Sequence, residues 1–297
     1  MRRYSGIILA DITILIKTFE RSDCLRRLLR SIADRGYTYP VLVADDSREP
    51  YRSAVLEEFG DLIAEYLVLP FDVGLSAGRN AMLARVQTPY LLLCDDDFVF
   101  DERTDVPRMR RLLEANDLDL LGGVYYDQAP FSWRDLVLSA ARLDWQRVLT
   151  LAGVEVPRRL YFNFQGCGPG KWKTVAVAYT PPVVRCDLAS NFFLARTGRL
   201  RETVGGWDGA LKVGEHRAFF LKAKHCGLRV GHTEEAGVAH LRDLPEKYID
   251  YRRRIEAMAP REFVQPAFRE RLAATLDACG RIYRHQRAMH RPLGPRG

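Results

Sequence analysis

Three consecutive carboxylates, Asp95, Asp96 and Asp97, directly follow the apolar segment at residues 90–94. An apolar run of this length predicts a buried strand, and open α/β folds bind ligands at the carboxyl edge of their sheet. Carboxylate oxygens are preferred ligands of Mg²⁺ and Mn²⁺, and these ions in turn bind phosphates. The segment indicates either a metal and phosphate site or an acidic turn, because Asp also tolerates turn geometry.

Other side chains further along the chain could also take part in chemistry. Arg79 begins a predicted helix, where backbone amides and a guanidinium could face phosphates; the alternative is a surface arginine paired with Asp72. Glu215 and His216 could each accept a proton, and the alternative is a solvated helix start with Glu at its positive end. His240 ends an apolar segment, where a histidine is either a metal ligand or structural.

The elements that must position these residues alternate between strand and helix. Apolar runs predict strands at 12–17, 41–44, 66–69, 90–94 and 118–124. Between them lie helical patterns, including one from Ser22 as N-cap, one from 74 to 86 and one from 105 to 116. This alternation predicts a parallel sheet with helices on both faces.

The second half of the chain has a less regular pattern. Residues 125–182 contain tryptophans, a glycine-rich segment at 166–170 and paired prolines, which predict an inserted, function-specific part. The glycine-rich segment lacks the Lys-Ser/Thr ending of a phosphate loop. Regular signals return with a strand at 191–195, a helix at 217–224 and short strands at 228–230 and 237–240.

Composition narrows the class of protein. The 297 residues are 47% hydrophobic, enough for a sizeable core, and the six cysteines contain no C-x-x-C pair, which argues against a zinc cluster or disulfide framework. No apolar run reaches the length of a membrane span, and the first residues do not form a signal peptide. We therefore expect a cytoplasmic protein.

The net charge of +7 is concentrated near the end of the chain. Residues 261–297 hold eight arginines against three acids. This segment predicts a helix packed on the body with a solvated basic face, or alternatively a peripheral contact with an anionic membrane. Nucleic-acid binding is not expected, because the arginines do not interleave with aromatic residues on strands.

Four motifs together resemble the nucleotide-sugar glycosyltransferases of GT-A fold, in the broad family 2 group. They are Thr13-Ile-Leu-Ile-Lys-Thr-Phe19, Ala44-Asp-Asp-Ser47, Gly74-Leu-Ser-Ala-Gly-Arg-Asn80 and Asp95-Asp-Asp97. Four segments, 75–80, 93–100, 191–196 and 207–216, are similar to the catalytic domain of the ganglioside-type β-1,4-N-acetylgalactosaminyltransferases. Since the membrane anchor of those enzymes has no counterpart, the resemblance implies a soluble relative.

The resemblance implies a UDP-sugar donor, with GalNAc, GlcNAc or Gal as the sugar, and Mn²⁺ or Mg²⁺ as cofactor. Thr18, Phe19 and Asp46 would contact uracil or ribose, although Asp45 and Asp46 could also be a helix N-cap. Arg79 would face the nucleotide. Asp95 would bind the nucleotide with Asp96 beside it, and Asp97 and His240 would bind the metal.

The resemblance also implies inversion at the anomeric carbon, with Glu215 as the base that deprotonates the acceptor hydroxyl. His216 is the rival base, because an imidazole titrates near neutrality. Trp207 and Asp208 would contact a glycan or small-molecule acceptor, although core packing explains a tryptophan equally well.

The predicted architecture is one GT-A domain with a mostly parallel sheet. Residues 1–124 form the nucleotide-sugar half, 125–245 the acceptor and catalytic half, and 246–297 a helical extension. Two alternatives stay open: a sugar-phosphate nucleotidyltransferase, which would want a glycine-rich loop after the first strand, and a non-catalytic carbohydrate-binding or scaffold protein. His225 and His232 are interpreted as structural.

Overall fold

A computed structural model describes residues 10–128, 133–141, 143, 145–167, 172–209, 211–212 and 215–241. The strands are β1 (Ile12–Thr18), β2 (Val41–Asp45), β3 (Ile63–Val68), β4 (Tyr90–Asp95), β5 (Phe98–Val99), β6 (Leu120–Gln128), β7 (Val156–Arg158), β8 (Phe162–Gly166), β9 (Trp172–Ala176), β10 (Val184–Arg185), β11 (Phe193–Arg196) and β12 (Val230–Leu241). The helices are α1 (Ser22–Asp34), α2 (Arg52–Phe59), α3 (Leu75–Leu83), α4 (Val106–Ala115), α5 (Trp133–Ala141), α6 (Trp145–Leu151), α7 (Thr197–Arg199), which runs into a π-helical turn at Leu200–Val204, and α8 (Glu215–His225).

Within the described residues, ten strands form one sheet in the order β10-β12-β6-β11-β4-β1-β2-β3, with β5 beside β12 and β7 beside β6. The six longest of them, β1, β2, β3, β4, β6 and β12, share one direction, because β11 is antiparallel to both β4 and β6. β8 and β9 form a separate hairpin. The prediction of a mostly parallel sheet is confirmed.

Helices cover both faces of this sheet, as the alternating side chains of the strands require. Ile14 and Ile16 of β1 pack in a core with α1, α2 and α4, whereas Leu15 faces a second core with α3 and α8. Parallel strands that are buried on both faces of a sheet have continuous apolar sequences, so the apolar runs predicted where these strands lie.

Several local predictions need correction. The helix predicted from 217 begins at Glu215, and the two short strands near 228–230 and 237–240 are a single strand, β12, with a register shift between His232 and Gly237. Ser22 is the first residue of α1 rather than its N-cap. Glycine and polar residues within β12 interrupt its apolar pattern, so the sequence predicted two short strands.

Other predictions fall outside the described residues. The helical extension at 246–297 and its basic segment at 261–297 lie there, as does part of the glycine-rich segment. The predicted boundary at 124 falls inside β6, so both predicted halves contribute strands to one sheet. Among the described helices, none is long and apolar enough to cross a bilayer.

Candidate donor and catalytic site

The carboxyl edge of the sheet gathers most of the candidate residues. Lys17 of β1 is in register with Asp95 of β4, and Thr18 is in register with Asp45 of β2. Because these strands are parallel, the residues that follow them meet at one edge. The segments containing Asp46 and Asp95–Asp97, predicted from strand ends alone, are thereby brought to the same place.

Asp46 is buried and held by two donors. Its Oδ1 pairs with the Lys17 ammonium, and its Oδ2 accepts the Gly74 backbone N–H at 2.9 Å. Gly74 has φ of +93°, and a Cβ there would lie 2.8 Å from Lys212 Cα, so glycine is required at the start of α3. The N-cap alternative for Asp45 and Asp46 is wrong, since the following helix α2 begins at Arg52 with Tyr51 as its N-cap.

Phe19 and Phe71 form an aromatic wall beside this carboxylate. Their ring centroids are 5.7 Å apart, and the Arg48 guanidinium lies 4.3 Å from the centroid of Phe71. Phe71 is 40% exposed, so part of the wall is accessible to solvent. The Thr18 hydroxyl is turned inward and donates to Asp96 at 2.8 Å. Stacking on a base is chemistry that this wall can perform.

Arg79 is the most buried cation of the site, with a side chain 1% exposed. Its Nη1 donates to Glu215 Oε1 and its Nη2 to Asp95 Oδ1, each at 2.8 Å. We call this arrangement the Arg79 clamp. It excludes a surface pair between Arg79 and Asp72, which instead pairs with Lys212. The solvated helix start is also wrong, because Glu215 is buried.

His216 joins the Arg79 clamp through Asn191. The Asn191 Nδ2 donates to Asp95 Oδ2 at 3.0 Å, which leaves its Oδ1 to accept from His216 Nδ1. Burial, reinforced by the charge of Arg79, lowers the pKa of His216 to about 3. Its imidazole is neutral at physiological pH and a much weaker base than an unperturbed histidine.

Asp96 occupies a supporting position. Its side chain is fully buried, and its oxygens accept from the Thr18 hydroxyl and from the Arg21 guanidinium. Burial raises the pKa of Asp96 to about 7 in spite of Arg21. Both oxygens of Asp96 are thus engaged inside the protein, and its predicted contact with the nucleotide stays a prediction.

The Asp97 carboxylate lies beside two cationic groups, and one of its two oxygens contacts them. Its Oδ2 lies 2.8 Å from Arg21 Nη1 and 3.6 Å from His240 Nε2, while its Oδ1 is buried with no hydrogen-bond partner among the described residues. His240 Nδ1 contacts Asp127 Oδ1 at 2.6 Å. Burial opposes the charged imidazole, but its contacts with Asp127 and Asp97 outweigh burial and raise the pKa of His240 to about 9.

Asp97 and His240 could form part of the coordination shell of a divalent metal, but not the whole of it. No three described His, Cys, Asp or Glu side chains converge as a complete metal cage. Mg²⁺ and similar ions commonly use one or two carboxylates together with substrate phosphates and water. Asp97, with its unpartnered Oδ1, and His240, oriented by Asp127, would supply such a partial set once a metal replaces the proton on His240 Nε2.

The predicted acceptor residues are less accessible than expected. The Trp207 ring is 4% exposed and stacks on Phe219 with centroids 4.7 Å apart, while its backbone N–H and C=O both bond the Asn80 side chain at 2.8 Å. This favours the core-packing alternative for Trp207. Asp208 is half-buried beside it.

The two histidines interpreted as structural both have internal contacts. His225 Nδ1 contacts the Leu221 carbonyl, and His232 stacks on Tyr161.

Sequence reasoning missed four residues that complete the site. They are Lys17, Arg21, Asp127 and Asn191. A signal existed for Lys17, because a charged residue inside an otherwise apolar strand must be paired when buried. The other three contact residues more than 70 positions away, and their roles depend on the strand order.

Comparison with known proteins decides the family. The sequence pattern of Glycosyl transferase family 2 matches residues 13–166, slightly more than half of the chain. The chain belongs to glycosyl transferase family 2. The chain is also 36% identical to human beta-1,4 N-acetylgalactosaminyltransferase 1 over 235 residues, which cover 78% of this chain and 39% of that protein. The chain thus spans about two fifths of that relative's length.

Solved structures support the fold of this family 2 chain. GalNAc-T7 with UDP, GalNAc and Mn²⁺ superposes with a TM-score of 0.59 at 14% identity, covering 98% of this chain and 59% of that one. The S. aureus TarS fragment 1–349 in complex with UDP gives a TM-score of 0.52 at 16% identity, covering 90% of this chain and 70% of that one. The prediction of a GT-A fold is confirmed.

Proposed function

We propose that this family 2 protein is a metal-dependent inverting glycosyltransferase that moves a sugar from a UDP-sugar to a hydroxyl of a glycan or small-molecule acceptor. The observation that carries the proposal is the Arg79 clamp, which fixes Asp95 at the carboxyl edge of the sheet and Glu215 at the start of α8 on one guanidinium. A donor-binding carboxylate and a proton-accepting carboxylate are thereby held at a set separation. Transfer from a bound donor to an adjacent acceptor requires that arrangement.

Glu215 is the base in this proposal. Inversion needs a group that removes the acceptor proton while the hydroxyl attacks opposite the leaving diphosphate, and one positioned base contributes roughly 10² to 10⁴ in rate. His216 suits a positioning role instead, because its Nδ1 is engaged by Asn191 and burial lowers the pKa of its imidazole to about 3. In this role His216 orients Asn191 and, through it, Asp95.

Asp97 and His240 would hold Mn²⁺ or Mg²⁺, and Asp127 would orient the His240 ring. When bound, the metal neutralises charge that develops on the diphosphate leaving group. The uridine would lie against the wall of Phe19 and Phe71. Asp46 would accept from the uracil N3 proton, because each of its engaged oxygens has a further lone pair.

GalNAc is the favoured sugar among GalNAc, GlcNAc and Gal, because the human relative is named as an N-acetylgalactosaminyltransferase. Recognition of the acceptor would fall to Asp208 and to the irregular part between β6 and β11. We also propose that the protein is cytoplasmic and that the basic segment at 261–297 makes a peripheral contact with a membrane. The TarS fragment was solved with UDP and GalNAc-T7 with UDP and Mn²⁺, and this supports the choice of donor and cofactor.

The test begins with thermal unfolding of the full chain in UDP, GDP, CMP or dTDP, each with and without Mn²⁺. A ligand at 100 times its Kd stabilises by about 2.7 kcal/mol, so a selective shift with UDP plus Mn²⁺ is the expected result. UDP release from UDP-GalNAc, UDP-GlcNAc and UDP-Gal with a set of glycan acceptors then tests transfer. If no nucleotide stabilises the chain at any metal concentration, the proposal fails and a non-catalytic binding protein becomes the better hypothesis.

A further inference from the structure

Arg21 lies at the metal side of the site although no sequence motif marks it. It is the N-cap residue of α1, and its side chain is 9% exposed. One end of its guanidinium, Nη2, contacts Asp96 Oδ1, and the other end, Nη1, contacts Asp97 Oδ2 at 2.8 Å. Two adjacent carboxylates are thus bridged by a cation that comes from more than 70 residues earlier in the chain.

The two contacts of Arg21 differ in their surroundings. Asp96 is fully buried and also accepts from Thr18, so that end of the guanidinium is anchored inside the protein. Asp97 Oδ2 also lies 3.6 Å from His240 Nε2. A metal held by Asp97 and His240 would place a divalent charge beside the guanidinium, and like charges at such separations repel strongly where water is scarce.

We infer that Arg21 is a displaceable counter-ion: its guanidinium pairs with Asp97 when no metal is bound, and when a metal binds it releases Asp97 and contacts the donor diphosphate. The anchor on Asp96 keeps the guanidinium at the edge of the sheet during this exchange. A planar guanidinium has five donors and matches the geometry of phosphate oxygens, so the end released from Asp97 suits a diphosphate. Arg21 therefore weakens metal binding before the donor arrives and strengthens donor binding afterwards. This inference rests on the donor and metal site of the proposed function.

The test measures two affinities on the full chain. Mn²⁺ binding without nucleotide is followed by electron paramagnetic resonance, and UDP binding at saturating Mn²⁺ is followed by calorimetry. Arg21→Met removes the charge and keeps much of the side chain's length; Arg21→Lys keeps a charge without the fork. Arg26→Met is the matched control, because Arg26 lies on the same helix and pairs with Glu58 at the surface.

We expect Arg21→Met to bind Mn²⁺ about tenfold more tightly than the parent and UDP about tenfold more weakly, in line with one charged pair lost in each case. Arg21→Lys should fall between the parent and Arg21→Met for both affinities, and Arg26→Met should match the parent. Arg21→Met should also melt at a lower temperature in EDTA and gain more from Mn²⁺, because Asp96 and Asp97 lose their counter-ion.

Two results would overturn the inference: Mn²⁺ affinity of Arg21→Met that is unchanged or weaker, or UDP affinity at saturating Mn²⁺ that is not reduced. If Arg21→Met does not fold, Arg21→Lys decides both points. A parent chain that binds Mn²⁺ but no nucleotide would defeat the proposed function and the diphosphate step, while the metal affinities would still test the competition for Asp97.

Discussion

Two arginines each hold a pair of carboxylates at the same edge of the sheet, and their settings differ. Arg79 is 1% exposed and joins Glu215 of α8 to Asp95 of β4, two separate elements. Arg21 is 9% exposed and holds Asp96 and Asp97, which are neighbours in sequence. Asp97 has in addition a buried oxygen with no hydrogen-bond partner among the described residues.

The difference shows what a buried cation can do. An arginine that ties separate elements together cannot leave without stranding the buried Glu215 carboxylate, so the Arg79 clamp is a fixed part of the fold. An arginine that bridges adjacent residues, one of which has an oxygen without a partner among the described residues, can give up one contact and keep the other. The first arrangement fixes geometry, and the second sets the charge balance of a binding site.

The largest expected effect is a loss of kcat when Glu215, a member of the Arg79 clamp, is changed. Glu215→Gln should lower kcat by about 10² to 10⁴, because the amide cannot accept the acceptor proton. The Kd of UDP, measured by calorimetry with Mn²⁺, should stay within a few-fold of the parent value. His216→Gln is the comparison, and a larger loss of kcat in His216→Gln than in Glu215→Gln would reverse the assignment of the base.

Arg79→Met should destabilise the protein by about 3 to 5 kcal/mol in urea unfolding, because Glu215 and Asp95 are left without their cation. The double variant Arg79→Met/Glu215→Met should recover part of that loss, since an apolar pair can replace a buried ion pair. Arg85→Met is the control. Arg85 lies just beyond α3 and forms an exposed pair with Glu65, so we expect a change within about 0.5 kcal/mol.

Asp97 and Asp96, the two carboxylates that Arg21 bridges, should respond differently to substitution by Asn, because we propose that only Asp97 binds the metal. Asp97→Asn should weaken Mn²⁺ binding by at least about tenfold, as loss of a ligand or its close partner does. Asp96→Asn should mainly lower stability, by about 1 to 3 kcal/mol, because its contacts with Thr18 and Arg21 are internal. Equal losses of Mn²⁺ affinity in the two variants would contradict the distinction.

The last prediction concerns the stability of the protein in acid. Burial lowers the pKa of His232 to about 3, and burial with the charge of Arg79 lowers that of His216 to about 3. Each folded-state pKa lies below the unfolded value near 6.5, so stability is full above pH 6.5 and falls as pH drops from there toward 3. Protonation of each imidazole therefore destabilises the folded state progressively as the pH falls through this range.

His232→Phe and His216→Gln should each flatten this fall in urea unfolding at pH 6, 5 and 4. His232→Phe retains the stacking on Tyr161, whose ring centroid lies 4.5 Å from that of His232. Only His216 touches the Arg79 clamp, so His216→Gln alone should also change UDP binding. A pH dependence identical to the parent in both variants would contradict the assignment of these groups as buried and neutral.

The sequence by itself determined where strands end and which residues follow them. Apolar runs marked β1, β2 and β4, and because these strands are parallel, Asp46 and Asp95–Asp97 had to meet at one edge. The predicted helix at 105–116 is α4, with Asp105 as its N-cap. Patterns of this kind are local, since a strand or a helix start is encoded within a few residues.

Only the tertiary structure decided which charges pair. Arg79 and Glu215 are 136 residues apart, and their contact depends on α3 and α8 packing on the same face of the sheet. Arg21 reaches Asp96 and Asp97 because β1 and β4 are neighbours, and His240 reaches Asp97 because β12 is long and shifts register before it. No local pattern fixes such distances, because they follow from strand order and packing summed over the whole chain.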